Sequence, residues 1–138
     1  MANLQSPIKE KYESLLSKSN EEFDNGKHDD SILLLEEAWA LLPSPKGIYS
    51  ESYHLVKDII DTCFIINDFK KAKEWAEKIY LTGFMRIDSG EKEFISGKIA
   101  FELGDYEIAK EFFNFANVKS EGRCFEDEDD KYLRFYKS

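Results

Sequence analysis

The sequence has few of the residues that build catalytic and metal centres. It contains two histidines and two cysteines, Cys63 and Cys124, with no C-x-x-C pair. A structural zinc site needs about four clustered Cys or His ligands, so no metal site is expected. The seven glycines are isolated, which argues against a Gly-rich phosphate-binding loop. The 28 acidic residues are so widespread that no pair of them indicates acid–base catalysis. We therefore expect no enzymatic activity and no cofactor.

Features of exported and membrane proteins are also missing. Residues 1–5 contain no basic segment followed by an apolar run, so they do not resemble a signal peptide. No stretch reaches the roughly 18 consecutive apolar residues that span a membrane. Two cysteines without a disulfide-like spacing fit a reducing compartment. The sequence thus predicts a cytoplasmic protein that does not enter a membrane.

What the sequence does contain is a balance of apolar and charged residues. Hydrophobic residues make up 42% and charged residues 34% of the 138 positions, enough for one folded domain over residues 1–138. Only three prolines interrupt the chain, so long helices are possible. The net charge is −9, which repels nucleic acid and attracts a basic protein partner.

Three segments, 26–43, 67–80 and 104–117, align on one another, and each has the pattern of a turn that opens a helix. Each begins with Gly or Asn, which tolerate the left-handed conformation that ends a preceding helix. In the last two segments Asp68 and Asp105 follow, and each is expected to cap the next helix. Amphipathic stretches precede the three turns, at about 8–25, 50–66 and 88–103. Ser6 and Pro7 are expected to open the first stretch, and Asp88 with Glu91 resembles a capping box at the third.

These segments resemble the tetratricopeptide repeat, a two-helix unit with a Gly-Asp-Tyr-x-x-Ala turn and a closing Ala. Gly104, Asp105 and Tyr106, with Ala109 and Ala116, match that turn closely. Segment 67–80 is similar to it, whereas segment 26–43 matches only at its ends. The spacing exceeds the family's regular repeat of about 34 residues, and the extra residues are expected at 44–49 and 81–90.

The resemblance implies an all-α, TPR-like fold. It would be a stack of three antiparallel helix pairs, at about 8–43, 50–82 and 88–118, wound into a right-handed α-α superhelix. Residues 119–138 do not repeat and are expected to form a C-terminal cap. Asp129 or Asp130 would start its short helix, whose aromatic face would cover the open end of the stack.

In this family the first helices of successive repeats line a concave groove, which gives a set of candidate partner-binding residues. Acidic and aromatic residues are interleaved in the set, as in many protein-binding hot spots. The alternative is that the phenylalanines fill space between helices. The candidates are Asn20, Phe23, Asp24, His54, Lys57, Asp58, Asp61, Phe64, Glu91, Phe94, Lys98 and Phe101.

A second candidate surface is the acidic run Glu126, Asp127, Glu128, Asp129 and Asp130. A calcium loop that begins at Asp127 would place Tyr132 where Gly is needed and Ser138 where the last Glu is needed, so we reject that reading. The run remains either a contact for a basic partner or a favourable charge at a helix N-terminus.

We therefore expect a protein-binding module. More narrowly, residues 119–125 and the acidic run look similar to small TPR-like proteins encoded beside polymorphic toxins, including contact-dependent inhibition systems. That resemblance implies an immunity protein that neutralises a basic, nuclease-type toxin. The alternative is a TPR adaptor or scaffold that binds a peptide of a signalling or secretion protein.

Overall fold

A computed structural model describes residues 2–83 and 89–138. Within those residues the chain is helical, without β-strands, and one isolated bridge joins Ala2 to Tyr49. The all-α prediction is confirmed. The α-helices described are α1 (Ile8–Asp24), α2 (His28–Leu41), α3 (Ser52–Ile65), α4 (Phe69–Ile79), α5 (Glu91–Glu102), α6 (Tyr106–Ser120) and α7 (Asp130–Lys137), and short 3-10 helices lie at Lys46–Ile48 and Arg123–Phe125.

The chain divides into two compact units, Met1–Gly83 and Phe84–Ser138. Unit 1 contains α1 to α4, and unit 2 contains α5 to α7. The continuous TPR-like stack of three pairs stays a prediction.

Three tight turns join α1 to α2, α3 to α4, and α5 to α6, and they share one hydrogen-bond pattern. The left-handed residue in each is Gly26, Asn67 or Gly104, with φ of 77°, 58° and 83°. The next residue donates its backbone N–H to the carbonyl five residues earlier, as at many helix C-termini. These bonds are Lys27 to Glu22 at 2.8 Å, Asp68 to Cys63 at 2.9 Å, and Asp105 to Ala100 at 2.9 Å. The aligned segments thus form three similar helical hairpins, as the repeat pattern predicts.

The predicted helix caps have different outcomes. The carboxylate of Asp68 accepts a hydrogen bond from the Lys71 backbone N–H at 3.1 Å, so that cap is confirmed. The side chain of Asp105 makes no such bond, so that cap prediction is wrong. Ser6 does not cap α1 either, because its hydroxyl donates to the Glu10 carboxylate at 2.5 Å. The proposed capping box starts at Asp88, which lies outside the described residues.

The core of unit 1 is built from the facing sides of its four helices. Val56 and Ile59 of α3 are fully buried. Trp39 of α2 and Trp75 of α4 meet edge to face, with ring centroids 5.7 Å apart. The Trp75 indole N–H donates to Glu36 at 3.2 Å, which satisfies its only polar atom. Both tryptophans therefore pack in the core, as expected from the repeat pattern.

Unit 2 has a core of aromatic and small residues. Ala109, Phe113 and Ala116 of α6 are fully buried. A Cβ added at Gly97 of α5 would lie 2.7 Å from the Phe113 ring, so the two helices approach closely where the side chain is absent. Helix α7 begins at Asp130, and the carboxylate of its N-cap residue accepts from the Lys131 N–H at 3.0 Å. The start predicted for the C-terminal helix is therefore confirmed.

Candidate protein-binding cleft

Unit 1 has an open cleft between α1 and α3. Two buried residues of α2, Ser31 and Leu35, form its floor. The other lining residues are Leu16, Ser19, Asn20 and Phe23 of α1, and Asp58, Asp61, Thr62 and Ile65 of α3. The cavity volume is about 290 Å³, at the lower limit of the roughly 300–1,000 Å³ usual for small-molecule sites. A cleft of this size suits a side chain better than a cofactor.

The hydroxyl groups at the floor are engaged within the protein. The hydroxyls of Ser19 and Ser31 lie 2.7 Å apart, and Ser19 Oγ also lies 3.0 Å from the Ser31 carbonyl. Thr62 donates its hydroxyl to the Asp58 backbone carbonyl at 2.8 Å. Because these bonds hold α1 to α2 and close a turn of α3, they stabilise the cleft and leave recognition to other groups.

Apolar side chains form the walls of the cleft near its open side. Phe23 is 37% exposed and Ile65 is 53% exposed, which is high for large apolar residues. The Phe23 ring packs edge to face against His28, with centroids 4.8 Å apart, so its position is fixed by the turn that follows α1. An incoming side chain would remove both apolar surfaces from water, which favours binding.

Two carboxylates and one amide are the polar groups of the cleft that a partner could contact. Asp61 pairs with Lys57 on the same helix, with Oδ2 and Nζ 2.9 Å apart. Among the described residues, Asp58 and Asn20 make no side-chain hydrogen bond or salt bridge. Partial removal of water raises the pKa of Asp58, the neighbouring Asp61 raises it further, and Lys57 and His54 oppose the change. Within residues 2–83 and 89–138, the Asp58 carboxylate is thus a charge without a direct partner.

The structure brings together part of the groove predicted from the sequence. Asn20, Phe23, Asp58 and Asp61 line the same cleft. The other unit 1 candidates lie outside its lining. Asp24 and His54 are exposed, Lys57 is paired with Asp61, and the ring of Phe64 packs against Phe69 at 5.2 Å.

The candidates on α5 belong to unit 2, and one of them, Phe94, requires correction. Phe94 is only 4% exposed and packs against Phe113, Phe125 and Tyr132, so it fills the core and is not open to a partner. Phe101 is half-buried by rings of α6 and α7. Phe94 thus follows the alternative, in which phenylalanines fill space between helices, whereas Phe101 stays a candidate. Two charged candidates complete the set: Glu91 is half-buried and Lys98 pairs with Glu128 at 3.0 Å.

The acidic run is divided between internal and exposed roles. Glu128 pairs with Lys98, and Asp129 caps α7 with Asp130 in its first turn. Glu126 and Asp127 remain exposed. Favourable charge at a helix N-terminus therefore accounts for much of the run, which leaves the cleft of unit 1 as the stronger candidate site.

Sequence reasoning missed several lining residues, above all Thr62 and Ile65. A usable signal existed, because residues 58, 61, 62 and 65 follow the spacing of three and four that places side chains on one helix face. Ile65 is a large apolar residue on the same face as two acids, a combination that a buried face would exclude. Ser31 and Leu35 had no such signal, since their access depends on the packing of α2.

Comparison with models of known protein families and with curated proteins finds no match to this chain. In the described ranges, 2–83 and 89–138, no helix has the length and apolarity needed to cross a membrane. In the same ranges, no group of three or more His, Cys, Asp or Glu side chains is arranged to hold a metal ion.

Proposed function

We propose that this chain is a protein-binding module whose cleft between α1 and α3 receives a basic partner. The observation that carries the proposal is the combination in one cleft of exposed apolar walls, Phe23 and Ile65, with the carboxylates of Asp58 and Asp61. Apolar contacts ringed by charges are typical of binding hot spots. The chain as a whole, with these two acids included, has a net charge of −9, which attracts a basic surface.

The partner we propose is a toxin domain that this chain neutralises, as an immunity protein does. Support comes from the acidic charge, which suits a basic nuclease-type protein, and from the resemblance of residues 119–130 to TPR-like proteins encoded beside toxins. In this role the bound chain would cover the toxin's active site or its substrate-binding surface. The competing role, an adaptor for a signalling or secretion peptide, would use the same cleft. The co-expression experiment below distinguishes it from the immunity role.

The test uses the proteins encoded next to this chain in its own genome. Each neighbour is expressed in a bacterial host alone and together with this chain. We expect one neighbour to arrest growth alone, growth to recover on co-expression, and the two proteins to elute as one complex. If a neighbour binds without being toxic, the adaptor role is supported instead. If none of the neighbours binds, the immunity role is wrong.

Charge reversal in the cleft then tests the proposed surface. In the double variant Asp58→Lys with Asp61→Lys, association with the identified partner should slow markedly, because steering by exposed charges acts mainly on the association rate. The wild-type rate should fall as salt rises, since exposed charges are screened beyond a Debye length of about 8 Å at physiological ionic strength. An unchanged rate and a flat salt response would place the interface elsewhere, first at the exposed Glu126 and Asp127.

A further inference from the structure

The cleft combines features that select one kind of side chain. Its walls, Leu16, Phe23 and Ile65, are apolar, while Asp58 and Asn20 offer oxygen acceptors that no described residue uses. The floor hydroxyls are occupied by each other and by backbone carbonyls. An occupant must therefore present an apolar stem along the walls and several N–H donors at its tip.

Among protein side chains, arginine fits this description best. Its aliphatic stem packs on apolar surface while its charged head stays near water. Its planar guanidinium stacks on aromatic faces and donates up to five hydrogen bonds in a fixed fork. Lysine has a similar stem, but its compact and strongly hydrated ammonium has no planar group to lie flat on a ring and no fork of N–H groups to bond both oxygens of a carboxylate.

We infer that the cleft between α1 and α3 anchors one arginine side chain of the basic partner. The stem would lie between Phe23 and Ile65, and the guanidinium would meet the Asp58 carboxylate and the Asn20 carbonyl oxygen. The inference rests on the proposed function for the nature of the partner. It goes further by assigning the occupant of the cleft and the acid that selects it.

The Asp58 charge supports this assignment independently of the cavity shape. Asp58 is exposed at the cleft and its carboxylate lies near Asp61; partial desolvation and the Asp61 charge both raise its pKa. Asp61, by contrast, has Lys57 within 2.9 Å. A bound guanidinium would compensate the Asp58 charge directly, so that acid should contribute most to the preference for a cation.

The experiment needs no knowledge of the partner. The full chain, labelled with 15N, is titrated with N-acetyl-arginine methylamide, and backbone amide shifts are followed by NMR. The probes for comparison are the lysine derivative and the citrulline derivative, which has nearly the shape of arginine without its charge. We expect saturable shifts in residues 19–23 and 58–65, with binding weakened about tenfold for citrulline and severalfold for lysine.

Matched variants complete the test. Asp58→Asn should weaken arginine binding by about fivefold, the effect expected for one charge pair at a partly exposed site. Glu21→Gln removes an equal charge from an exposed position of α1 that does not line the cleft, and it should leave binding within about twofold. Equal binding of citrulline or lysine, or equal losses in both variants, would overturn the inference.

The outcomes also separate this inference from the proposed function. If a neighbour-encoded partner binds and its affinity is insensitive to Asp58→Asn, the arginine anchor is wrong while the binding function stands. If the arginine probe binds as described and none of the neighbour-encoded proteins forms a complex, the anchor stands and the immunity function is wrong.

Discussion

Replacement of Tyr132 tests whether α7 is an integral part of unit 2. The side chain is only 4% exposed, and its ring lies 5.5 Å from Phe101, 6.1 Å from Phe113 and 6.2 Å from Phe94, measured between centroids. Its hydroxyl donates to Glu102 at 2.9 Å. The residue therefore contributes through packing and through one hydrogen bond, and two substitutions separate these contributions.

The expected magnitudes follow from those contacts. Tyr132→Ala removes a buried ring and leaves a cavity, which typically costs about 3–5 kcal/mol. Tyr132→Phe keeps the ring and loses the hydrogen bond. Glu102 retains Lys131 at 2.6 Å, so its carboxylate is not left without a partner and the cost should be near the usual net value of about 1 kcal/mol. Packing should thus outweigh the hydrogen bond roughly threefold.

Urea unfolding followed by far-UV circular dichroism measures the loss, and hydrogen exchange with mass spectrometry assigns it to peptides of α5 and α6. The fluorescence of Trp39 and Trp75 reports unit 1 separately, because the only two tryptophans of the chain lie there. Arg134→Ala, an exposed change on the same helix, should shift stability by no more than about 0.5 kcal/mol. If Tyr132→Ala unfolds like Arg134→Ala, or if α5 and α6 exchange no faster, the reasoning about α7 is refuted.

Three other predictions concern packing, pH and thiol reactivity. Ala109→Leu and Ala116→Leu should each destabilise the protein by about 1–3 kcal/mol, because both sites are fully buried between helices, and thermal melts within one degree of wild type would refute this. Asp58→Asn should stabilise the protein at pH 7 by about 0.2–0.5 kcal/mol, since it removes a like-charge pair on one helix. Folding raises the pKa of Asp58, so the protonated carboxyl favours the folded state at low pH, and that contribution is lost as the pH rises through the folded pKa. The advantage of Asp58→Asn over the wild type should therefore vanish as the pH falls below about 4. Thermal melts of both proteins from pH 3 to 7 check the trend. Burial raises the pKa of the Cys63 thiol to about 12. Iodoacetamide at pH 8 should therefore modify the partly exposed Cys124 first and reach Cys63 only on unfolding. Peptide mapping that finds Cys63 alkylated first would contradict this.

The turns between paired helices were the most predictable part of the fold. Gly and Asn at 26, 67 and 104 mark positions where the backbone must be left-handed, and the same hydrogen bond closes each turn. Such local signals need no knowledge of distant contacts. Asp105 shows their limit, because the residue type permits a cap but does not require its carboxylate to turn toward the helix.

The candidate site was only partly predictable, since exposure depends on what packs over each helix. Phe23 and Phe101 each lie three residues before the left-handed glycine of their turn, yet Phe23 is 37% exposed and Phe101 is half-buried. Helix α7 contributes to the difference, because the rings of its Tyr132 and Phe135 lie against Phe101. The aromatic cluster in 132–136 predicted that α7 would cover something, but not which residues it would bury.

Most polar side chains around the cleft of unit 1 are bonded within the described part of the protein, and Asp58 is not. Ser19, Ser31 and Thr62 form internal hydrogen bonds, and the Trp75 indole finds Glu36, as expected for polar groups in a stable fold. Asp58 differs from these groups, because its exposed carboxylate lies beside Asp61 and no described residue forms a salt bridge or side-chain hydrogen bond with it. Proteins retain such locally unfavourable groups mainly where function needs them. If Asp58→Asn proves more stable at pH 7 and also loses arginine binding, stability and recognition will be opposed at one residue, which is the behaviour expected of a binding site and not of a solvated surface charge.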